Sequence, residues 1–429
     1  MMTPAASVAV IGGGKIGLPI AACLAGNGAK VTVCDINRRL VDKVNAGETP
    51  HDEPGLAARL TDLVADGRLT ATTDTITAVA AADVVIVVVA AMLTDERRID
   101  YRHLLAACET VGRGLRRGTL VVIETTVPVG ACRNILAAAL GTGGLAAGQD
   151  FRFAFSPERV KSRHIFEHLT TTPKVVGGWD AASLAAAVRF YEDWLRAPVI
   201  SVGSLEAAEF AKLAGMIYRD ANIALANELS AFAAAAGLDV WSAIAAANTD
   251  GETHLLQPGI GVGGHCTPVY PYFLFEGAER LKTDPALARA ARHVNEAQPA
   301  RQVARLAQAL GGLRGAHVHV MGLSFRPSVR EDACSPAGPL RDALAAAGAS
   351  VTLDDPLYGP QELAERGFAA GAPGAPGQIA VVLNTAHPEY ATPDFTRWKT
   401  NGLKAVLDGR HLWKRAEVEA AGLTYLEVG

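Results

Sequence analysis

Cys266 stands behind a run of glycines and just ahead of a proline, in Gly261-Val-Gly-Gly-His-Cys-Thr-Pro-Val-Tyr-Pro-Tyr-Phe273. Glycines make a poor core environment for a thiol but a good loop for wrapping a substrate, and Gly261 and Gly263 are read as part of that wrap. Near the start of the chain, Gly12-Gly-Gly-Lys-Ile-Gly17 follows the apolar run Val8–Ile11. In this pattern Gly12 allows a tight turn and Gly14 lets the backbone approach a pyrophosphate. Gly17 lets a helix pack on the strand, and Lys15 and Ile16 complete the loop where the helix N-terminus faces the anion. Asp35 closes the next apolar run, placed to accept from an adenosine ribose hydroxyl and to repel a 2′-phosphate, which favours NAD over NADP. Arg38 and Arg39 lie close enough to blunt that preference. A thiol and a hydride acceptor sharing one site suit oxidation of an alcohol through an aldehyde to an acid. The thiolate adds to the nascent aldehyde as a thiohemiacetal, a second hydride transfer gives a thioester, and water releases the acid.

Composition sets the setting for that chemistry. A chain of 429 residues should hold two or three domains. Its 49% hydrophobic share and formal charge of -4 describe a well-buried soluble enzyme with no overall pull towards nucleic acid or an anionic membrane. The six cysteines include no CxxC pair, so neither a disulfide framework nor a zinc site is indicated, and no metal is expected. Cys23, Cys34, Cys108 and Cys132 read as small buried hydrophobes. The run Val8–Ile11 leads straight into glycines, unlike a signal peptide, and Val84–Met92 is roughly half of what spans a bilayer. A cytoplasmic location is expected.

Strand and helix patterns alternate to position these groups. Val8–Ile11, Lys30–Cys34, Val84–Val89 and Leu120–Ile123 read as buried parallel strands with alanine-rich helices between them. Leu205 to Ala236 runs without proline and predicts a helix of about 30 residues. A second alternating section begins at Val318–Met321 and continues through Ser350–Leu353, Ile379–Leu383 and Val406–Leu407. The Gly/Pro-rich piece Gly371–Gly377 reads as a surface loop. The expected fold is α/β, with two Rossmann-like doubly wound domains joined by a long central helix.

The chain resembles the UDP-glucose/GDP-mannose 6-dehydrogenase family along nearly its whole length. The resemblance rests on the glycine loop, on Glu124-Thr-Thr-Val-Pro-Val-Gly130, Ser156-Pro-Glu-Arg-Val160, Glu209-Phe-Ala-Lys212, the Cys266 loop, Gly322-Leu-Ser-Phe-Arg-Pro327 and Asp408-Gly-Arg410. The wording of these motifs is nearer the UDP-N-acetylmannosamine and UDP-N-acetylglucosamine dehydrogenases than UDP-glucose dehydrogenase. The resemblance implies that Thr126 positions water and nicotinamide, that Glu158 lies near Lys212, and that Arg159 and Val160 run along the sugar. Lys212 would hold the oxyanion, and Phe325, Arg326 and Arg410 would clamp the nucleotide diphosphate. Arg326, in place of the usual lysine, keeps the charge and can fork onto phosphate. It also implies NAD at residues 1–203, a central helical dimerisation region with the cysteine loop at 204–300, and a nucleotide-sugar domain at 301–429, with the sugar in the cleft between the domains. The substrate would be a UDP-linked sugar and the assembly a homodimer, for which the small face Ala224, Ala231 and Ala235 allows close helix pairing.

Departures from the family cluster at the chemistry. Tyr270 replaces its catalytic Asp, Met216 its Asn, and Ala333 an arginine on the cofactor side, while Ala90-Ala-Met92 replaces a Pro-Thr-Pro turn. A thioether donates no hydrogen bond, so one oxyanion contact is absent, a loss of about 10²–10³ in rate. Tyr270 is either an acid–base group helped by a nearby cation or a space filler. Three outcomes stay open: a 6-dehydrogenase with an altered hydrolytic site, a redox-neutral epimerase or aldehyde-forming variant, and a non-catalytic nucleotide-sugar binder.

Overall fold

The computed structural model describes residues 6–429. The chain divides into two units, residues 1–214 with 272–283, and residues 215–271 with 284–429.

The first unit is built on an eight-stranded sheet. Its strands are β1 (Ser7–Ile11), β2 (Lys30–Cys34), β3 (Leu69–Thr72), β4 (Val84–Val87), β5 (Leu120–Ile123), β6 (Arg152–Phe155), β7 (Lys174–Gly178) and β8 (Val199–Ser204). They run in the order β8-β7-β6-β5-β4-β1-β2-β3. All neighbours are parallel except β6 and β7. Val84–Val87 and Leu120–Ile123 are buried at every position, as strands covered on both faces must be. Strand order reverses at β1 and β4, the place in such a sheet where loops part and a ligand can enter. The helix α1 (Gly17–Gly26) starts directly off the glycine loop.

The second unit repeats the plan with six strands. β9 (His317–Met321), β10 (Ser350–Asp354), β11 (Ala369–Ala370), β12 (Ala380–Leu383), β13 (Ala405–Asp408) and β14 (Thr424–Glu427) are all parallel, in the order β11-β10-β9-β12-β13-β14. The reversal falls at β9 and β12. One side of the sheet is filled by aliphatic side chains such as Val318, Val320 and Leu340. The other is filled by an aromatic group in which Phe395, Trp398 and Trp413 meet edge to face.

Between the two sheets in sequence lies α2, Leu205–Ala236, 32 residues with the bounds that its composition predicts. In the second unit α2 joins α3 (Ala286–Leu310) through polar groups. Asp220 takes a two-pronged contact from Arg292 at 2.7 and 2.6 Å and a third from Asn295 at 2.8 Å, and Asn227 donates to Asn295 at 2.9 Å. Burial raises the Asp220 carboxyl against the opposing pull of Arg292. Ala224 is covered by its own chain, Ala231 is half-buried and Ala235 is exposed. Leu225, Leu229 and Phe232 form the more exposed apolar side of this helix. The segment Gly371–Gly377 is an irregular loop, pinned at Gly374 under the Trp398 ring.

Candidate active site

The glycine loop divides its work as the residue types demand. Gly12 has φ +104, and a Cβ there would come within 2.9 Å of the Val88 carbonyl. At Gly17 a Cβ would overlap the Gly12 carbonyl, so only glycine brings α1 this close to β1. A Cβ on Gly14 would meet nothing within 4 Å, which leaves one open stretch of backbone beside the helix N-terminus. Asp35 steadies this loop, accepting from Gly13 N and Asn37 N at 2.8 Å each while staying half-buried. Lys15 is exposed and Ile16 half-buried. A dinucleotide pyrophosphate fits such a cradle, with Gly14, Lys15 and Ile16 beside it and Asp35 left capacity for a ribose hydroxyl.

In the same unit, Lys212 on α2 meets Glu158 in the loop after β6, and Thr126 lies in the loop after β5. Lys212 is 7% exposed, donates from Nζ to the Glu158 carbonyl and lies 3.8 Å from Glu158 Oε2. Glu158 Oε1 in turn accepts from Val160 N. Arg159 is exposed and reaches the Pro173 carbonyl at 3.2 Å. Thr126 is 5% exposed and follows Thr125, whose Oγ1 donates to Val89 O at 2.8 Å. Beneath them Glu124 is fully buried, accepting from Lys174 Nζ and Tyr191 OH at 2.7 Å each. Met216, one turn after Lys212, is half-buried.

The remaining predicted residues lie in the second unit, where the Cys266 loop is fastened along its whole approach. Asn222 accepts from Leu256 N at 2.8 Å and donates to His254 O at 2.7 Å, and Asn227 accepts from Gly259 N at 2.9 Å. Ile260 N then donates to Gly409 O at 3.2 Å, and Gly264 N to Ala333 O at 2.8 Å. A Cβ on Gly261 would meet Pro336 at 2.9 Å, and one on Gly263 would overlap Phe325, so both glycines are dictated by packing. Cys266 is half-buried, and its carbonyl accepts from Tyr270 N at 2.9 Å where the helix Tyr270–Leu281 begins. Tyr270 and Ala333 are both half-buried.

Phe325 and Arg326 occupy the loop after β9, and Arg410 the loop after β13. The Arg326 guanidinium lies 5.6 Å from the Phe325 ring centroid. Arg410 is tied by Nε to Asn384 O at 2.7 Å, by Nη2 to Gly261 O at 3.4 Å and by its own N–H to Asp408 Oδ1 at 3.0 Å. Burial draws its pKa down to about 10 while Asp408 pulls the other way, so it stays charged at neutral pH.

Other residues support the site from outside the predicted set, although Glu209 lies in the Glu209–Lys212 motif already singled out. Glu209 is fully buried and accepts from Gly130 N and from Cys132 N at 2.9 Å, which fixes the segment after Thr126. Burial raises its carboxyl against those two donors. His51 reaches the Gly13 carbonyl at 2.9 Å, and Glu53 accepts from Arg163 N and Ile165 N at 2.6 and 2.8 Å, beyond the Ser156–Val160 segment. The only hint is a His and a Glu inside a loop bounded by Pro50, Pro54 and Gly55. Among the described residues no group of His, Cys, Asp and Glu could hold a metal, and no helix is long and apolar enough to cross a membrane.

Two doubly wound sheets, a dinucleotide cradle on the first and a thiol loop with cationic residues on the second define a nucleotide-dependent oxidoreductase of the Rossmann type. The chain belongs to the UDP-glucose/GDP-mannose dehydrogenase family: its NAD binding domain model matches residues 6–195 and its central domain model residues 206–297. The cofactor of this family domain is NAD. A UDP-N-acetyl-D-mannosamine dehydrogenase of Pyrococcus horikoshii is 32% identical over 420 residues, 96% of this chain and 97% of that protein. An NDP-N-acetyl-D-galactosaminuronic acid dehydrogenase of Ralstonia nicotianae is 36% identical over 77% of this chain and 78% of its own length. Among solved structures, the UDP-D-ManNAc dehydrogenase of Pyrococcus horikoshii superposes with a TM-score of 0.90, at 31% identity and covering 98% of each chain. A UDP-glucose dehydrogenase of Pyrobaculum islandicum gives 0.89 at 29% identity, covering 100% of this chain and 98% of its own.

Proposed function

We propose that this protein is an NAD-dependent nucleotide-sugar 6-dehydrogenase that oxidises a UDP-linked N-acetylhexosamine to the acid, with an altered hydrolytic step. The observation that carries the reading is the Cys266 loop, whose glycines and backbone are held by three separate segments while its thiol is kept half-buried. Two NAD molecules, bound in turn, would each accept one hydride. Cys266 attacks the aldehyde carbon and carries the thiohemiacetal and then the thioester. Lys212 stabilises the oxyanion, with Glu158 holding its ammonium in place. Thr126 orients the water, and Arg326 and Arg410 neutralise the diphosphate, with Phe325 alongside. Tyr270 and Met216 take the places of groups that handle water and the oxyanion elsewhere in the family, so hydrolysis of the thioester is the slow step. Under this reading the three-part division at 203/204 and 300/301 separates cofactor, central and nucleotide functions. The exposed Leu225, Leu229 and Phe232 pair two copies into a homodimer, and the work is done in the cytoplasm in the service of polysaccharide or glycoside synthesis.

The test is incubation with NAD and a panel of UDP-, GDP- and dTDP-hexoses and N-acetylhexosamines, following NADH absorbance and product mass together. Two NADH per sugar, a carboxylate mass, and a transient adduct on Cys266 are expected. Replacing Cys266 by Ser abolishes acid formation. An isomerised sugar without NADH would replace this reading with a redox-neutral one, and NAD binding with every sugar returned unchanged would favour a binder.

A further inference from the structure

We infer that His387 is a positioning residue for nucleotide binding, fastening both ends of the Leu323–Ser328 loop to one buried carboxylate. Asp355 Oδ2 accepts from Leu323 N at 2.7 Å and from Ser324 N at 2.8 Å, while Oδ1 accepts from Leu357 N at 2.8 Å. The loop's first residues are thereby fixed. Its far end is reached through an imidazole. His387 Nε2 lies 3.2 Å from Asp355 Oδ2, and Ser328 N donates to His387 Nδ1 at 3.3 Å. Since a backbone N–H only donates, Nδ1 must be the acceptor, which leaves Nε2 to carry the proton towards the carboxylate.

The rest of the neighbourhood keeps the ring in this one orientation. The His387 and Asp355 side chains are 1% and 0% exposed. The Tyr390 ring stands edge-on to the imidazole at 5.6 Å. Ser328 holds φ +58, an uncommon conformation for a residue with a side chain, which persists only where surroundings impose it. Thr385 Oγ1 donates to Ser324 O, and Asn384 Nδ2 donates to Gly322 O at 2.9 Å, closing the same loop from β12. Phe325, Arg326 and Pro327 therefore form a short arch with both feet tied to Asp355, directly at one foot and through His387 at the other. Releasing one foot leaves Arg326 charged and present but no longer pre-set, and its ordering must then be paid for on binding.

This inference rests on the reading of Phe325 and Arg326 as nucleotide contacts, and the experiment separates the two. UDP and NAD binding to the full-length protein are measured by calorimetry for wild type, His387→Leu and His387→Gln. The expected result is roughly tenfold weaker UDP binding for His387→Leu with NAD affinity held within about twofold. His387→Gln, whose amide offers both an acceptor and a donor, should recover most of the loss. Wild type that fails to bind UDP overturns the nucleotide reading and this one with it. Wild type that binds UDP, with His387→Leu binding it equally well, overturns the bridge alone. Should His387→Leu not fold, amide hydrogen exchange in the wild type decides. The Leu323, Ser324 and Ser328 amides should exchange as one slow group that UDP slows further, whereas a fast Ser328 beside a protected Leu323 would remove the bridge.

Discussion

Asp35 and Asp355 stand at equivalent places, each one residue past the second strand of its own doubly wound sheet, and each holds the loop that follows the first strand. Asp35 accepts two backbone N–H groups and remains half-buried. Asp355 accepts three backbone N–H groups and the His387 imidazole, and is only 5% exposed. A carboxylate has about four lone-pair positions, so the first is left with capacity for a ligand and the second is fully committed to its loop. The residues three past each first strand agree with this division: Gly14 faces open space, whereas Ser324 is fully buried. One topology thus serves twice, and under the proposed function recognition runs through the backbone itself in the first unit and through side chains borne on a rigid arch in the second.

Substitutions at matched positions should separate the two designs. Asp355→Ala leaves three buried backbone donors without a carboxylate and should destabilise the protein by about 4 kcal/mol, read as a lowered denaturation midpoint. A loss below about 1 kcal/mol would mean the arch stands without its carboxylate. Gly17→Ala forces α1 away from β1 and should cost about 2 kcal/mol together with NAD affinity, checked by melting and by cofactor titration. Asp35→Ala should show the reverse balance to Asp355→Ala, with NAD binding down about tenfold and stability lowered by less than about 1 kcal/mol. Gly14→Ala is the sharpest contrast to Gly17→Ala: melting should be unchanged, while NAD weakens severalfold because the added methyl fills the space the pyrophosphate needs.

The smallest effect concerns acid. Burial alone would raise the Asp355 carboxyl, but hydrogen bonds from His387, Ser324 and Leu357 outweigh it and hold the pKa below the ordinary 3.8. A group depressed in the folded state contributes stability that is fully present above its unfolded pKa, near 3.9, and is lost as pH falls through the folded value. Asp355→Asn should therefore flatten the stability profile below about pH 4 and leave its shape near neutrality unchanged. A profile as steep as wild type in that range would assign the acid sensitivity to other carboxylates.

Much of this arrangement is legible in residue order. Strands β1, β2, β4 and β5, their counterparts β9, β10, β12 and β13, and the full length of α2 follow from apolar runs and from the absence of proline. The glycine loop and the cysteine loop announce themselves because glycine at fixed spacing has few other uses. The strands β6, β7 and β8 do not, since Arg152–Phe155, Lys174–Gly178 and Val199–Ser204 mix charged, small and polar residues and take their place by pairing at one side of the sheet. Asp355 and His387 are similarly silent, because their partners lie 31 and 59 residues away and no local pattern links them. The face of α2 bearing Ala224 also reads differently in sequence. Ala224 is small and apolar, yet it is covered within the chain, and the exposed apolar side is made by larger residues.

The stretch from Glu252 to Thr267 contains no regular helix or strand, a length at which many connecting segments accept insertions or are nicked by proteases. Here its backbone is spoken for at Leu256, Gly259, Ile260 and Gly264, and two of its glycines are wedged against Pro336 and Phe325. It is a loop in name and a fixed element in practice, so a protease of broad specificity should leave it intact in the native state. A single inserted residue between Gly259 and Gly264 would throw every later partner out of register. Lineages carrying this chain should vary the length of Gly371–Gly377 long before they vary the length of this segment.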